Sequence, residues 1–184
     1  MKQQNKAVRF AVVFIVLFLL FYYFNIWFFS ATNPGPHYLN FLAKHFNYIQ
    51  ALRWLLLACT AVLLKIFGFS PVYNNYELLV AGHGTIQVVY TCLGLGVLSF
   101  FAAFVIAYPK PLKSKIIALI SGVVIIEILN IIRFALLAIY GSNHVNQLID
   151  HHTLFNIIMY VIIAVGLYFW IKEDITVPTK NEAN

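Results

Sequence analysis

The sequence predicts an all-α, polytopic membrane helical bundle, with a short extracytoplasmic β-hairpin-like segment ahead of Cys92. Three observations carry this. Of 184 residues, 62% are hydrophobic and only 10% are charged, where a soluble domain carries roughly a quarter charged. The apolar residues gather in runs long enough to cross about 30 Å of hydrocarbon. Three lysines, Lys110, Lys113 and Lys115, sit in one short loop between two such runs, which marks a cytoplasmic loop. The length fits one integral domain over residues 1–171 and a short cytoplasmic tail, 172–184.

Residues 8–29 form the first apolar run, with Lys2, Lys6 and Arg9 gathered at its start. It is too long for a secretory signal core, and Ser30-Ala31-Thr32 is a poor cleavage site, so it reads as a retained anchor with a cytoplasmic N-terminus. Asn33-Pro34-Gly35-Pro36 breaks the helix. Tyr22, Tyr23 and Trp27 read either as an interfacial belt or as ordinary helix filling. Further spans are expected over 92–108, 116–140 and 152–171. The lysine loop joins the first two, so Cys92 falls at the outer end of its span and Arg133 in the outer half of the next. His151 and His152 open the last span on that same side, in a multi-pass protein of the cytoplasmic (inner) membrane.

Residues 39–69 are apolar but carry Lys44, Arg53 and Lys65. A full crossing here would put either the N-terminus outside or Cys92 inside. An outer interfacial or re-entrant helix, its basic residues at headgroup level, is the preferred expectation; an ordinary second span is the alternative. Residues 68–91 contain Pro71, Asn74, Asn75 and Gly82-His83-Gly84, then a β-branched run. This reads as a short hairpin leading directly into Cys92, out of the lipid where exposed backbone is tolerated.

The +6 formal charge does not point to nucleic acid, because the bases flank apolar runs where they set orientation. Cys59 and Cys92 make no disulfide framework, and Cys59 reads as a small packing residue. Cys92 begins the stretch Cys92-Leu93-Gly94-Leu95-Gly96. The unpaired N–H groups of a helix start favour an anionic sulfur, and the glycines let a helix or substrate backbone approach. A buried structural thiol is the alternative.

Arg133 lies well inside an apolar helix, where insertion costs about 2.5–3.5 kcal/mol. It faces either the bundle or, by snorkelling, the outer interface. Asn130 shares its face, and a guanidinium held there can donate several hydrogen bonds to an oxyanion. Glu127 is either its counter-ion or a structural acid. Asp150-His151-His152 offers an imidazole for acid–base work at a helix start. A zinc site from His83, His144, His151 and His152 competes with that reading, although no HExxH or comparable spacing occurs. Ser99 and Ser121 lie within spans, without a GxSxG motif.

Three motifs in order, Cys92-Leu93-Gly94, Asn130-Ile131-Ile132-Arg133 and His152-Thr153-Leu154-Phe155-Asn156, resemble those of the exosortase/archaeosortase family of membrane transpeptidases. The resemblance covers roughly residues 68–171, in a short, single-domain member. It departs where the family commonly has Ser after the Cys and Arg after the Gly-Leu; here stand Leu93 and Gly96. Asn156 stands where a Gly is common after the His, which leaves His151 as the alternate to His152.

The resemblance implies cleavage of secreted proteins bearing a C-terminal motif, a transmembrane helix and a basic cluster. It assigns Cys92 as nucleophile, His152 as acid and base, and Arg133 as oxyanion stabiliser, with Asn130 and Gly94 in support. No metal or organic cofactor is implied. Two other classes fit the composition: a non-catalytic membrane assembly or substrate-binding protein, and a small transporter lined by Glu127, Asn130 and Arg133.

Overall fold

The computed structural model describes residues 2–140 and 148–172, without the side chains of 2–5, 148–154 and 156. The helices are α1 (Lys2–Thr32), α2 (Asn40–His45), α3 (Tyr48–Ile66), α4 (Leu95–Ala107), α5 (Leu112–Tyr140) and α6 (Leu148–Lys172). Strands β1 (Pro71–Tyr73), β2 (Glu77–Val80) and β3 (Gly84–Gln87) lie between α3 and α4. Among the described residues, four stretches are long and apolar enough to cross a membrane, and residues 157–172 of α6 form a shorter apolar helix. Large apolar side chains such as Leu20, Ile120, Val124, Val161 and Phe169 are exposed around the outside. Such a surface requires lipid rather than water. The chain is a multi-pass membrane protein.

Aromatic side chains align α1 and α4 antiparallel. Phe10 meets Phe104 edge-on at 5.4 Å, Phe14 meets Phe100 at 5.3 Å, and Phe29 packs on Tyr90 at 4.5 Å. Such contacts add roughly 0.5–1.5 kcal/mol each beyond burial. Halfway along, the Asn25 amide donates to Ser99 Oγ at 3.1 Å. The start of α1 therefore shares one end of the bundle with Tyr108 and the lysine loop. The end of α1 lies beside the Cys92 turn. At the lysine end, Lys110 Nζ donates to the carbonyl of Trp170, and the Trp170 indole donates to Ser114 Oγ at 3.1 Å. This ties the end of α6 to the α4–α5 connection.

Two apolar clusters divide the bundle along its length. Val97, Phe101, Val105, Ile126, Met159, Ile163 and Leu167 fill the lysine half. Phe28, Leu56, Leu57, Leu64, Leu78, Val88, Leu93 and Phe134 fill the Cys92 half. All the buried apolar residues of α3 belong to the second cluster. Both ends of α3 stay there as well. Tyr48 stacks on Phe28 at 4.4 Å; just beyond its C-terminus, Phe69 meets the His83 ring at 5.1 Å, and His83 Nδ1 lies 3.3 Å from the carbonyl of Ile139. A crossing helix would carry its C-terminus to the lysine end. Although α2 and α3 together have the length and composition to cross, α3 packs along the Cys92 end alone.

Local chemistry sets these boundaries. Asn47 caps α3 by accepting from Gln50 N at 3.0 Å. Gly68, at φ +85°, turns the chain out of it. The following segment holds more than the expected hairpin. It is a three-stranded antiparallel sheet in the order β1-β2-β3, with Leu79 opposite Val72 on one side and Thr85 on the other. Asn74 Oδ1 accepts from Tyr76 N and Glu77 N, an Asx turn that starts β2. Val88 N donates to the carbonyl of Tyr76 at 2.8 Å, which carries the β2–β3 register one pair beyond Gln87.

Two expected helix starts are corrected. Cys92 does not open α4; it sits in a short 3₁₀ turn, Tyr90–Leu93, and α4 begins at Leu95. Gly94 adopts φ +71°, which interrupts a continuous helix. Nor do His151 and His152 open the last helix, because Leu148, Ile149 and Asp150 ahead of them are already helical. The tail beyond Lys172, predicted as a short cytoplasmic end, lies outside the described residues.

Candidate active site

The 3₁₀ turn carries Cys92 onto the side of α5, with its N–H donating to the carbonyl of Val89 at 3.0 Å. Arg133 Nη2 lies 3.9 Å from Cys92 Sγ. Arg133 is buried, so it faces the bundle; the snorkelling alternative is excluded. Its Nε has no hydrogen-bond partner among the described residues, which leaves a donor within the site. The guanidinium also stands over the ring of Phe155, 5.6 Å from its centroid, a cation–π contact.

Asn130, one turn below Arg133, is fully buried. Its Nδ2 donates to Glu127 Oε2 at 3.2 Å. Glu127 is thus engaged with Asn130 rather than paired with Arg133, and the counter-ion reading fails. Gly94 explains why the turn can come so close. A Cβ there would stand 2.7 Å from Asn130 Nδ2, closer than carbon and nitrogen tolerate. Gly96 meets only ordinary contact with the Tyr22 ring.

Cys92, Gly94, Asn130 and Arg133 therefore converge in one place. His152 and its alternate His151 belong to α6, but their side chains lie outside the described residues, as do His144 and the zinc grouping that needed them. Among the described residues, no three His, Cys, Asp or Glu side chains stand close enough to hold a metal.

A thiol with a buried guanidinium at this distance has the parts for acyl transfer. The guanidinium can donate to the sulfur or to an oxyanion forming on a carbon attached to it. The sequence model of the transmembrane exosortases matches residues 3–169. The chain belongs to the transmembrane exosortase family. No curated protein and no solved structure matches it. The exosortase match covers nearly the whole described bundle, α1 included, beyond the 68–171 stretch that carried the sequence resemblance.

Two features of this exosortase were not evident from its sequence. Phe155 has a motif position, yet nothing in that position announces a ring beneath Arg133. Arg53 was expected at headgroup level with Lys44 and Lys65. Those lysines are exposed, but Arg53 is 4% exposed. The only signal was an arginine within an apolar segment.

Proposed function

We propose that this exosortase is a cysteine transpeptidase that cleaves the C-terminal sorting signals of secreted proteins through a Cys92 thioester. One observation carries the reading: Arg133, buried without a carboxylate partner among the described residues, directs Nη2 at Cys92 Sγ from 3.9 Å. A buried arginine so placed serves negative charge that develops at the sulfur or on its acyl carbon.

In the first half-reaction Sγ attacks the scissile carbonyl. The S–C bond forms, and the carbonyl oxygen takes up negative charge within reach of the Arg133 donors. Collapse of the tetrahedral species breaks the C–N bond and leaves a thioester. The thiol proton passes through an imidazole to the departing amine. In the second half-reaction the same imidazole deprotonates the incoming nucleophile. His152 is assigned this role, with His151 as alternate. Phe155 supports both assignments, because it reaches Arg133 and follows them on α6 by helical spacings that share a face. Asn130 and Gly94 hold the turn against α5.

Sidedness follows from charge. Lys6 and Arg9 share the bundle end of Lys113 and Lys115, so that end is cytoplasmic. Cys92 then faces the extracytoplasmic side of the cytoplasmic membrane. The substrate is a secreted protein with a short motif, a transmembrane helix that lies beside the bundle, and a basic cluster that stays inside.

The test is to trap a Cys92-linked acyl adduct and identify its peptide by mass spectrometry. A thioester at Cys92 to a residue just ahead of a transmembrane helix is the expected result. Normal processing of such a substrate by Cys92→Ala would sink the thiol mechanism.

A further inference from the structure

Arg53 is a second buried arginine, remote in role from Cys92. Nη1 donates to Gln50 Oε1 at 2.9 Å, and the guanidinium stands 4.8 Å from the centre of the Tyr76 ring. Nε is buried and has no partner, and no carboxylate pairs with this side chain among the described residues. Asn33, Tyr38, Asn47, Gln50, Asn75 and Tyr76 join Arg53 around a cavity of about 290 Å³. That wall is rich in amides and hydroxyls and lacks acid. An arginine buried without an anion is costly, and the unpartnered Nε of its planar fork suits an oxyanion with several acceptor oxygens.

Depth and size indicate what fills the cavity. The apolar stretch of α1, Lys6–Thr32, has 27 residues, about 40 Å of helix against about 30 Å of hydrocarbon. Thr32 and Asn33, at its end, therefore stand at headgroup depth. Tyr38, which lines the cavity, is exposed, as are Phe41 on α2, Phe46 just after it and Tyr48 at the start of α3, the aromatic composition of a membrane interface. Exposed Lys44 sits on α2 beside it. The volume equals about ten water molecules, roomy for a carboxylate and suited to a phosphodiester with its headgroup. We infer that the Arg53 cavity is a binding site for an anionic phospholipid headgroup, whose phosphate accepts from Arg53 and the surrounding amides. This pins α2 and α3 to the outer leaflet, and it does not depend on the thioester chemistry.

The test uses the purified full-length chain in a neutral detergent, with phosphatidylglycerol, phosphatidylcholine and inorganic phosphate as probes in native mass spectrometry. Phosphatidylglycerol is expected to bind in preference to phosphatidylcholine. Arg53→Gln should weaken it about tenfold or more, the loss of a charge-assisted contact. Lys44→Gln, which removes a nearby exposed charge, should change it by no more than about twofold. On the unmodified chain, a photoactivatable phosphatidylglycerol should crosslink to residues 33–38 or 75–76, a readout that survives if Arg53→Gln fails to fold. Unchanged binding by Arg53→Gln, an equal loss in Lys44→Gln, or crosslinks elsewhere would each overturn the assignment. So would displacement of the lipid by inorganic phosphate or by a short acidic peptide, which would identify a free anion or a protein segment as the occupant.

Discussion

Gly94 and Asn130 are in contact at the limit of what backbone and side chain allow: a Cβ on Gly94 would reach within 2.7 Å of Asn130 Nδ2. The contact joins the residue two after Cys92 to the residue one turn before Arg133. It therefore sets how closely the sulfur approaches the guanidinium. Gly94→Ala meets two obstacles, the clash and a φ of +71°, the latter costing an L-residue about 1–2 kcal/mol. The expected outcome is a modest loss of thermal stability and a much larger loss of substrate processing. Equal, small losses in both would mean that the turn relaxes without disturbing the site.

Arginine at 133 is expected to be irreplaceable by lysine. The proposed oxyanion contact needs a planar fork aimed from a fixed position, whereas an ammonium offers a shorter, rotating point charge. Arg133→Lys and Arg133→Gln should both lower processing by about 10²–10³, the usual cost of removing an oxyanion donor. Expression and membrane insertion should remain normal for Arg133→Lys. Near-full activity of the lysine variant would reduce Arg133 to a generic positive charge.

The parts of this fold legible in the sequence are those that depend on one-dimensional patterns. Apolar runs gave α1, α4, α5 and α6, and lysine placement grouped their ends. Cys92, Asn130 and Arg133 could be brought together because helix direction alone fixes their level. What the sequence could not show depends on contacts across the chain. β1 pairs with β2 across a turn that Asn74 closes onto Tyr76 and Glu77. Gly94 reads as a residue that lets a helix or substrate backbone approach, and only the fold shows that Asn130 is what stands against it. Arg53 reads as a snorkelling base, because its burial is created by Gln50 and Tyr76 rather than by its apolar neighbours.

The position of α3 predicts a labelling pattern. Lys44→Cys, on α2, and Ser70→Cys, just before β1, flank it at exposed positions. Placed in a chain lacking Cys59 and Cys92, both should react with a membrane-impermeant maleimide added to intact cells. Lys113→Cys, at the opposite end, should react only after the membrane is opened. Ser70→Cys grouping with Lys113→Cys would show that α3 crosses the bilayer, contrary to its packing.

Packing in the lysine half gives a pair of glycine substitutions with opposite signs. Gly122 of α5 faces the Phe101 ring, and a Cβ there would stand 2.1 Å from Phe101 Cζ. Phe101 is buried among Val97, Val105 and Ile126, so the ring can yield only toward an adjoining cavity of about 190 Å³. Overpacking of this kind costs about 1–3 kcal/mol, and the cavity places Gly122→Ala toward the low end. Gly166 of α6 borders the same cavity, but a Cβ there meets nothing within 4 Å. Gly166→Ala gains helix propensity without a clash, and should stabilise by about 0.5–1 kcal/mol. Thermal unfolding of the detergent-solubilised chain should show Tm falling for the first and rising for the second. Combining Gly122→Ala with Phe101→Leu should recover part of the first loss, since the shorter side chain vacates the contested space. A Tm unmoved by Gly122→Ala would mean that α4 and α5 stand farther apart than this contact requires.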